Sequence, residues 1–319
     1  MPTTPHGYRY EPVLTVPAAG PHPPHLIARS RELLRATLGM MAELGLGSDA
    51  GRRAFDKYPV HAERATRAAA EVGVSPVELL SANLCYDVLM GAGAMGCSTL
   101  ALAGTDGPTL ARNMDWFPAE KVAKASCLVL EEYGTSAGFV GMIGAVTGLS
   151  RRGFCVCLNA VFGTSDPAGY PVLLFLRHVL DTATNFSHAL ELVRAERLMT
   201  CGIVTLVGTR NGERAIVERT STRAHVTAAT SDAPLAATNH FRALAQPGEC
   251  ARYDHLKRHA GRTPALEVLM HPSVLQSITA QHVELHPATG RAAMHVPSHL
   301  LPDDVRDDVT LADLMGFVG

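Results

Sequence analysis

The sequence predicts an α+β layered fold. Helical periodicity dominates the first 90 residues, the character changes after the segment Gly91-Ala92-Gly93-Ala94-Met95-Gly96, and short strand-like runs then mix irregularly with helices. No regular alternation of strand and helix is visible, so a doubly wound parallel sheet is not expected.

Residues 1–25 contain Pro2, Pro5, Pro12, Pro17, Pro21, Pro23 and Pro24 and read as an extended or partly disordered arm. From Leu26 to Ala42 the apolar positions Leu33, Leu34, Leu38 and Met41 recur at helical spacing, until Gly45 and Gly47 stop the pattern. A second helix is expected over Ala54–Val72. Ser75-Pro76-Val77-Glu78 supplies an N-cap, a first-turn proline and an acidic first turn for a third, running to Leu89. Gly91 to Gly96 is a flexible small-residue segment. Strands are expected over Cys97–Ala103, Thr109–Trp116, Ala125–Glu131, Gly138–Val146, Gly153–Val161, Ile203–Gly208 and Ala215–Glu218. Helices are expected over Pro171–Leu180, Ser187–Glu196, Ala251–His259 and Pro264–His271, with a late hairpin over His282–His295 turning at Ala288-Thr289-Gly290.

The chain has 319 residues and 33.9 kDa, enough for one large or two ordinary domains, and 47% hydrophobic content supplies a sizeable core. A formal net charge of -2 gives no electrostatic reason to expect nucleic acid or an acidic membrane surface. The partner expected is a small molecule of low charge. No apolar run is long enough for a membrane span, since Phe139–Leu149 is interrupted by glycines. The N-terminus lacks the charged start and apolar run of a secretory signal, so a cytoplasmic protein with reduced thiols is expected. Seven cysteines show no framework spacing. Cys155 and Cys157 share a strand face and lack a second ligand pair, so small apolar residues inside a sheet are expected there and no metal. The glycines between Gly134 and Gly148 lack the order of a phosphate-binding loop and read as turns and close sheet packing.

Gly96-Cys97 carries the chemistry. A cysteine at a strand start, preceded by glycine, can attack the carbonyl of its own preceding residue. The resulting cut leaves Cys97 with a thiol of reference pKa about 8.5 and an α-amine of about 7.7 to 8.0, nucleophile and base on one residue. Thr105-Asp106-Gly107-Pro108 contains a favoured hairpin pair and should fold Cys97 opposite Asp115 or Trp116. Opposed Cβ atoms lie about 4.5 to 5.5 Å apart, so a carboxylate could reach the new amino terminus. Strict pairing places Arg112 on the other face of its strand from Asp115, so a bulge or twist is required if both serve one site. Trp116 and Phe117 either line an acyl pocket or pack the hairpin. His240 is one of fifteen histidines and is given no role.

Cys97-Ser98-Thr99 followed by Arg112-Asn113-Met114-Asp115-Trp116 resembles the N-terminal-nucleophile hydrolases of the choloylglycine hydrolase, acid ceramidase and acyl-coenzyme A:isopenicillin N acyltransferase superfamily. The resemblance continues through Gly148-Leu149-Ser150-Arg151-Arg152-Gly153, Cys157-Leu158-Asn159, Ala237-Thr238-Asn239-His240-Phe241 and Cys250-Ala251-Arg252-Tyr253. It implies a four-layer αββα sandwich preceded by a helical segment. It further implies a precursor cut at Gly96-Cys97, with residues 1–96 as pro-segment or α-subunit, residues 97–319 as catalytic domain, and the fragments remaining associated. Position by position, it implies Cys97 as nucleophile, Arg112 favouring the thiolate or orienting a carbonyl, and Asp115 accepting from the α-amine. Asn159 and Asn239 become supporting amides including oxyanion donors, and Arg252 matches the family's late arginine. The implied activity is hydrolysis of a linear N-acyl amide through a thioester, without cofactor or metal. The alternative is acyl transfer to an amine, with acyl-coenzyme A as a donor, although no coenzyme A motif is visible. A binding protein of the same fold without turnover is the non-enzyme alternative, and a homo-oligomer is compatible with all three.

Overall fold

A computed structural model describes residues 9–45, 49–89, 95–246 and 248–301. The chain opens with strands β1 (Tyr10–Pro12) and β2 (Thr15–Pro17), followed by helices α1 (Pro24–Glu43), α2 (Asp49–Lys57), α3 (Pro59–Val72), α4 (Pro76–Asn83) and α5 (Cys85–Leu89). Next come β3 (Met95–Leu102), β4 (Thr109–Trp116), α6 (Ala119–Ala125), β5 (Ser126–Glu131), β6 (Gly134–Phe139), β7 (Thr147–Ser150) and β8 (Phe154–Asn159). Helices α7 (Val172–Thr182) and α8 (Phe186–Ala195) lead to β9 (Gly202–Val207), β10 (Arg214–Arg219), β11 (Ala224–Ala228) and β12 (Leu235–Ala237). The described chain closes with α9 (Ala251–His259), α10 (Ala265–Leu269), β13 (Thr279–His286) and β14 (Arg291–Pro297).

The strands form two sheets, a six-stranded one in the order β1-β14-β13-β4-β3-β12 and an eight-stranded one in the order β11-β10-β9-β8-β7-β6-β5-β2. Alternation along β3 and β4 decides the layers. Ala101 and Leu110 face the other sheet, in one buried cluster with Leu149, Cys155, Cys157 and Val207. Leu100 and Ala111 face the opposite way, onto Leu256 of α9 and Leu269 of α10. Helix α7 buries Phe175, Leu176, Val179 and Leu180 with Phe154, Val156 and Leu206 on the outer face of the second sheet. Helix, sheet, sheet and helix are therefore the four layers, as the resemblance implies.

Several expectations change. The arm over residues 1–25 is tied down where described: β1 pairs antiparallel with β14 in one sheet and β2 parallel with β5 in the other. The helix expected over Ala54–Val72 is two, because Pro59 cannot continue α2 and instead occupies the first turn of α3. The third expected helix keeps its start, where Ser75 Oγ accepts from Glu78 N at 3.2 Å and Glu78 Oε2 from Ser75 N at 2.7 Å, but it divides at Leu84. The strand expected over Gly138–Val146 is displaced to β6, since Gly141 turns the backbone at φ 91° and Gly144 lies against the Leu173 backbone. Four short elements, α6, β7, β11 and β12, carried too little periodicity to be anticipated. The flexible segment expected over Gly91–Gly96 lies outside the described residues except for its last two positions.

Candidate active site

Hairpin β3–β4 builds the centre. Its turn closes with Gly107 N donating to Gly104 O at 3.3 Å, which moves the register from the expected one: Gly96 lies opposite Asp115, Cys97 opposite Met114, and Thr99 opposite Arg112. Opposed residues share a face, so Cys97, Thr99, Arg112 and Met114 point between the sheets. Ser98, Asn113 and Asp115 point towards α9 and α10, where Asn113 Nδ2 donates to Leu269 O at 2.7 Å. Arg112 and Asp115 thus remain on different faces, and the site straddles the strand at residue 97. The irregularity needed near this site sits in β13, whose register shifts between Thr279 and Gln281 and brings Thr279 opposite Asp115.

On the inner face Arg112 Nη2 donates to Cys97 Sγ at 2.6 Å, while Nη1 donates to Thr147 Oγ1 at 2.8 Å and Val146 O at 3.4 Å. Arg112 is fully buried, its Nε has no hydrogen-bond partner, and no carboxylate lies within ion-pair distance among the described residues. The Cys97 sulfur is the anion-capable atom that it touches. Burial pushes the thiol above its ordinary value and Asp115 adds to this, whereas the Arg112 charge and the Ala160 backbone N–H oppose it. The thiol itself points at Leu158 O, 3.6 Å away.

At the main chain, Cys97 N donates to Asn239 Oδ1 at 3.0 Å, and the same oxygen accepts from Arg252 Nη2 at 2.8 Å. Arg252 Nη1 also reaches Cys97 O at 3.2 Å and Asp115 Oδ2 at 3.3 Å. Asp115 Oδ1 accepts from Thr279 Oγ1 at 2.6 Å. Burial raises the Asp115 carboxyl, and Arg252, Thr279 and Arg112 counter it. The acceptor at the Cys97 main-chain N–H is therefore Asn239, whereas Asp115 was expected to accept from an α-amine freed by cleavage. Asp115 holds Arg252 and lies beside Gly96, at which an added Cβ would stand 3.0 Å from Asp115 Oδ2.

Asn159 also departs from expectation. Its Oδ1 accepts from Thr99 Oγ1 at 2.6 Å, and its Nδ2 donates to Ala237 O and Thr238 O, each at 3.2 Å. Both amide hydrogens are thereby engaged, and the side chain ties the two sheets together. Asn239 Nδ2 donates to Ala160 O at 2.8 Å, and its second hydrogen has no partner among the described residues. All six candidate side chains thus meet around residue 97.

The sequence reading missed Thr99, Thr147, Thr279 and Tyr86. Thr99 alone had a local signal, since it lies two residues from Cys97 on the same strand face. Tyr86, from α5, is buried in the cluster that contains Cys97, Met114 and Trp116, and its hydroxyl donates to Cys201 O at 2.6 Å. Trp116 shares the inward face with Cys97 and borders an apolar pocket with Leu33, Cys85, Phe139, Met142 and Leu173. Cys155 and Cys157 lie inside the sheet pair, and burial raises both thiols.

The family profile of acyl-coenzyme A:6-aminopenicillanic acid acyl-transferase matches residues 102–278, more than half the chain. The chain belongs to this family. Arg112, Asp115, Asn159, Asn239 and Arg252 fall inside the matched segment, and Cys97 lies five positions before it. Among solved structures, the N-acylethanolamine-hydrolyzing acid amidase ortholog of Caenorhabditis elegans is similar with a TM-score of 0.52 at 20% identity, covering 60% of this chain and 93% of that one. That similarity shows the shared N-terminal-nucleophile hydrolase fold. No curated protein sequence gives a significant match. Family and fold together support an enzyme of amide hydrolysis or acyl transfer with small acyl-bearing substrates. Among the described residues no helix is long and apolar enough to cross a membrane.

Proposed function

We propose that this chain is a self-processing cysteine amidohydrolase acting on linear N-acyl amides. The observation that carries the reading is that residue 97 is gripped at both reactive atoms, its sulfur by Arg112 at 2.6 Å and its nitrogen by Asn239 at 3.0 Å.

In the first stage Cys97 Sγ attacks the Gly96 carbonyl carbon, the Gly96–Cys97 C–N bond breaks, and the nitrogen takes up the thiol proton. Water then hydrolyses the thioester, leaving a Gly96 carboxylate and a free Cys97 thiol and α-amine. In turnover this amine accepts the thiol proton, the sulfur attacks the substrate carbonyl, and the amine product departs with a proton. The spare Asn239 Nδ2 hydrogen and the Ala160 N–H are the donors assigned to a developing oxyanion, in place of Asn159. One such donor is typically worth about 3 to 4 kcal/mol in the transition state. The thioester is resolved by water, or by an amine in the acyl-transfer variant that the family profile favours, with an acyl-coenzyme A donor.

Processing divides the chain into residues 1–96 and 97–319, and the pairings of β1 and β2 with strands of the second piece support continued association. The reduced thiols fit a cytoplasmic protein. Intact-mass analysis of wild type beside Cys97→Ala tests the proposal. Wild type should give two fragments, the second beginning Cys-Ser-Thr, and the variant one. A wild-type preparation that hydrolyses amides as a single uncut chain refutes it. Adding a competing amine to the reaction and measuring the ratio of free acid to new amide separates hydrolase from transferase.

A further inference from the structure

A second polar site lies behind Asn239. A cavity of about 90 Å³ is bordered by Thr238, His240, Arg242, Tyr253, Lys257 and Glu218, among others. The Arg242 guanidinium stacks on Tyr253, 4.0 Å from the ring centroid, and donates Nη1 to Gly248 O at 2.9 Å. Its Nε and Nη2 are buried with no hydrogen-bond partner. The nearby carboxylate makes no ion pair with it among the described residues. Glu218 is spent on main-chain groups, accepting from Arg242 N at 2.6 Å, Ala243 N at 3.0 Å and Leu244 N at 2.8 Å. Lys257, at the exposed rim, makes no ion pair among the described residues. A buried guanidinium edge without an acceptor is costly unless something fills the space with oxygen atoms. Arg242 and Lys257 both border this cavity, and a guanidinium with an ammonium beside it is matched by a bidentate oxyanion.

We propose that this cavity binds a small oxyanion, a carboxylate or phosphate group, between the Arg242 edge and Lys257. Its walls explain what occupancy does. Thr238 and His240 flank Asn239 in the chain, and Tyr253 and Lys257 share α9 with Arg252, so a bound anion pins together the two segments that hold residue 97.

The test titrates sodium acetate and inorganic phosphate into the full chain against sodium chloride at matched ionic strength, read by calorimetry. Saturable binding of either anion beyond chloride is expected, weakened about tenfold in Arg242→Gln and in Lys257→Met. Lys257→Met is the decisive variant, because its exposed position leaves the fold intact where Arg242→Gln disturbs the loop. Absence of saturable binding, or unchanged affinity in Lys257→Met, overturns the proposal. A second arm compares amide substrates with and without a carboxylate on the amine portion. A preference for the carboxylate that Lys257→Met abolishes assigns the anion to the substrate, and acetate altering turnover of a neutral substrate assigns it to a free effector; either supports the site. The binding arm needs no turnover, so its failure is distinguishable from failure of the amidase reading.

Discussion

In the proposed mechanism Arg112 is the residue on which the chemistry of Cys97 depends most. It is a cation in the interior, and its contact with the sulfur becomes an ion pair only when that sulfur is a thiolate. Hydrogen bonds to charged groups contribute about 1.5 to 3 kcal/mol, so Arg112→Gln should slow amide hydrolysis by roughly 10- to 100-fold. The pH profile of Cys97 alkylation by iodoacetamide should shift upward in the same variant, and an unshifted profile contradicts this role. The two asparagines should separate. Asn159→Ala leaves Ala237 O, Thr238 O and Thr99 Oγ1 without their partner, and should lower unfolding free energy by about 2 to 3 kcal/mol in a urea titration. Asn239→Ala should reduce kcat far more than stability, because its oxygen faces the reacting nitrogen. That Cys97 would share one hairpin with Arg112 and Asp115 was readable in local sequence, although the strand begins two residues before the expected start, at Met95. The contact of Asn239 with the Cys97 nitrogen was not readable, because a contact across 142 positions leaves no local pattern.

Elements show where local rules suffice. The Ser75 capping box was legible because its two hydrogen bonds span three residues, and Ser75→Ala should cost about 1 kcal/mol. The packing of α2 on α4 was not legible. Gly51 allows that approach: a Cβ there would stand 2.0 Å from Ser81 Oγ and 2.6 Å from Val77 O. Gly51→Ala must push the two helices apart, with an expected loss of about 1 to 3 kcal/mol seen as a lower urea midpoint at unchanged m-value. Full stability in that variant would mean the helices do not meet as described. Hairpin β3–β4 falls between these cases. Its strands and its turn were evident, but a turn centred nearer Gly104 moved the register and with it every opposed pair.

Across the whole molecule, residues on either side of Gly96-Cys97 share hydrophobic clusters, with Leu33, Met40, Tyr86 and Leu89 packed among residues of the later sheets. Asp87 joins the same two parts, its carboxylate accepting from Val172 N at 3.0 Å at the start of α7. Burial pushes this carboxyl up to about 7, with the Val172 N–H opposing. A carboxyl that holds its proton more tightly when folded contributes stability that is full below about pH 4 and is lost as the pH rises through about 7. Asp87→Asn removes that dependence. Relative to wild type it should gain on the order of 3 kcal/mol between about pH 5 and pH 8, measured by urea unfolding at each pH. Parallel stability curves for the two proteins would show that Asp87 does not carry a proton in the fold.

The sequence by itself determined the α+β class, most element positions, the family, and the short list of polar residues worth examining. These follow from periodicity, capping and turn chemistry, all of which act over a few neighbouring positions. Tertiary structure alone decided the joining of the N-terminal arm to both sheets and the hydrogen-bond partners of Cys97, Asp115, Asn159 and Asn239. Each of those depends on strand register and on the meeting of segments more than 100 positions apart, such as Cys97 with Asn239 and Arg252. Such contacts are set by which surfaces bury together, and no local spacing encodes them.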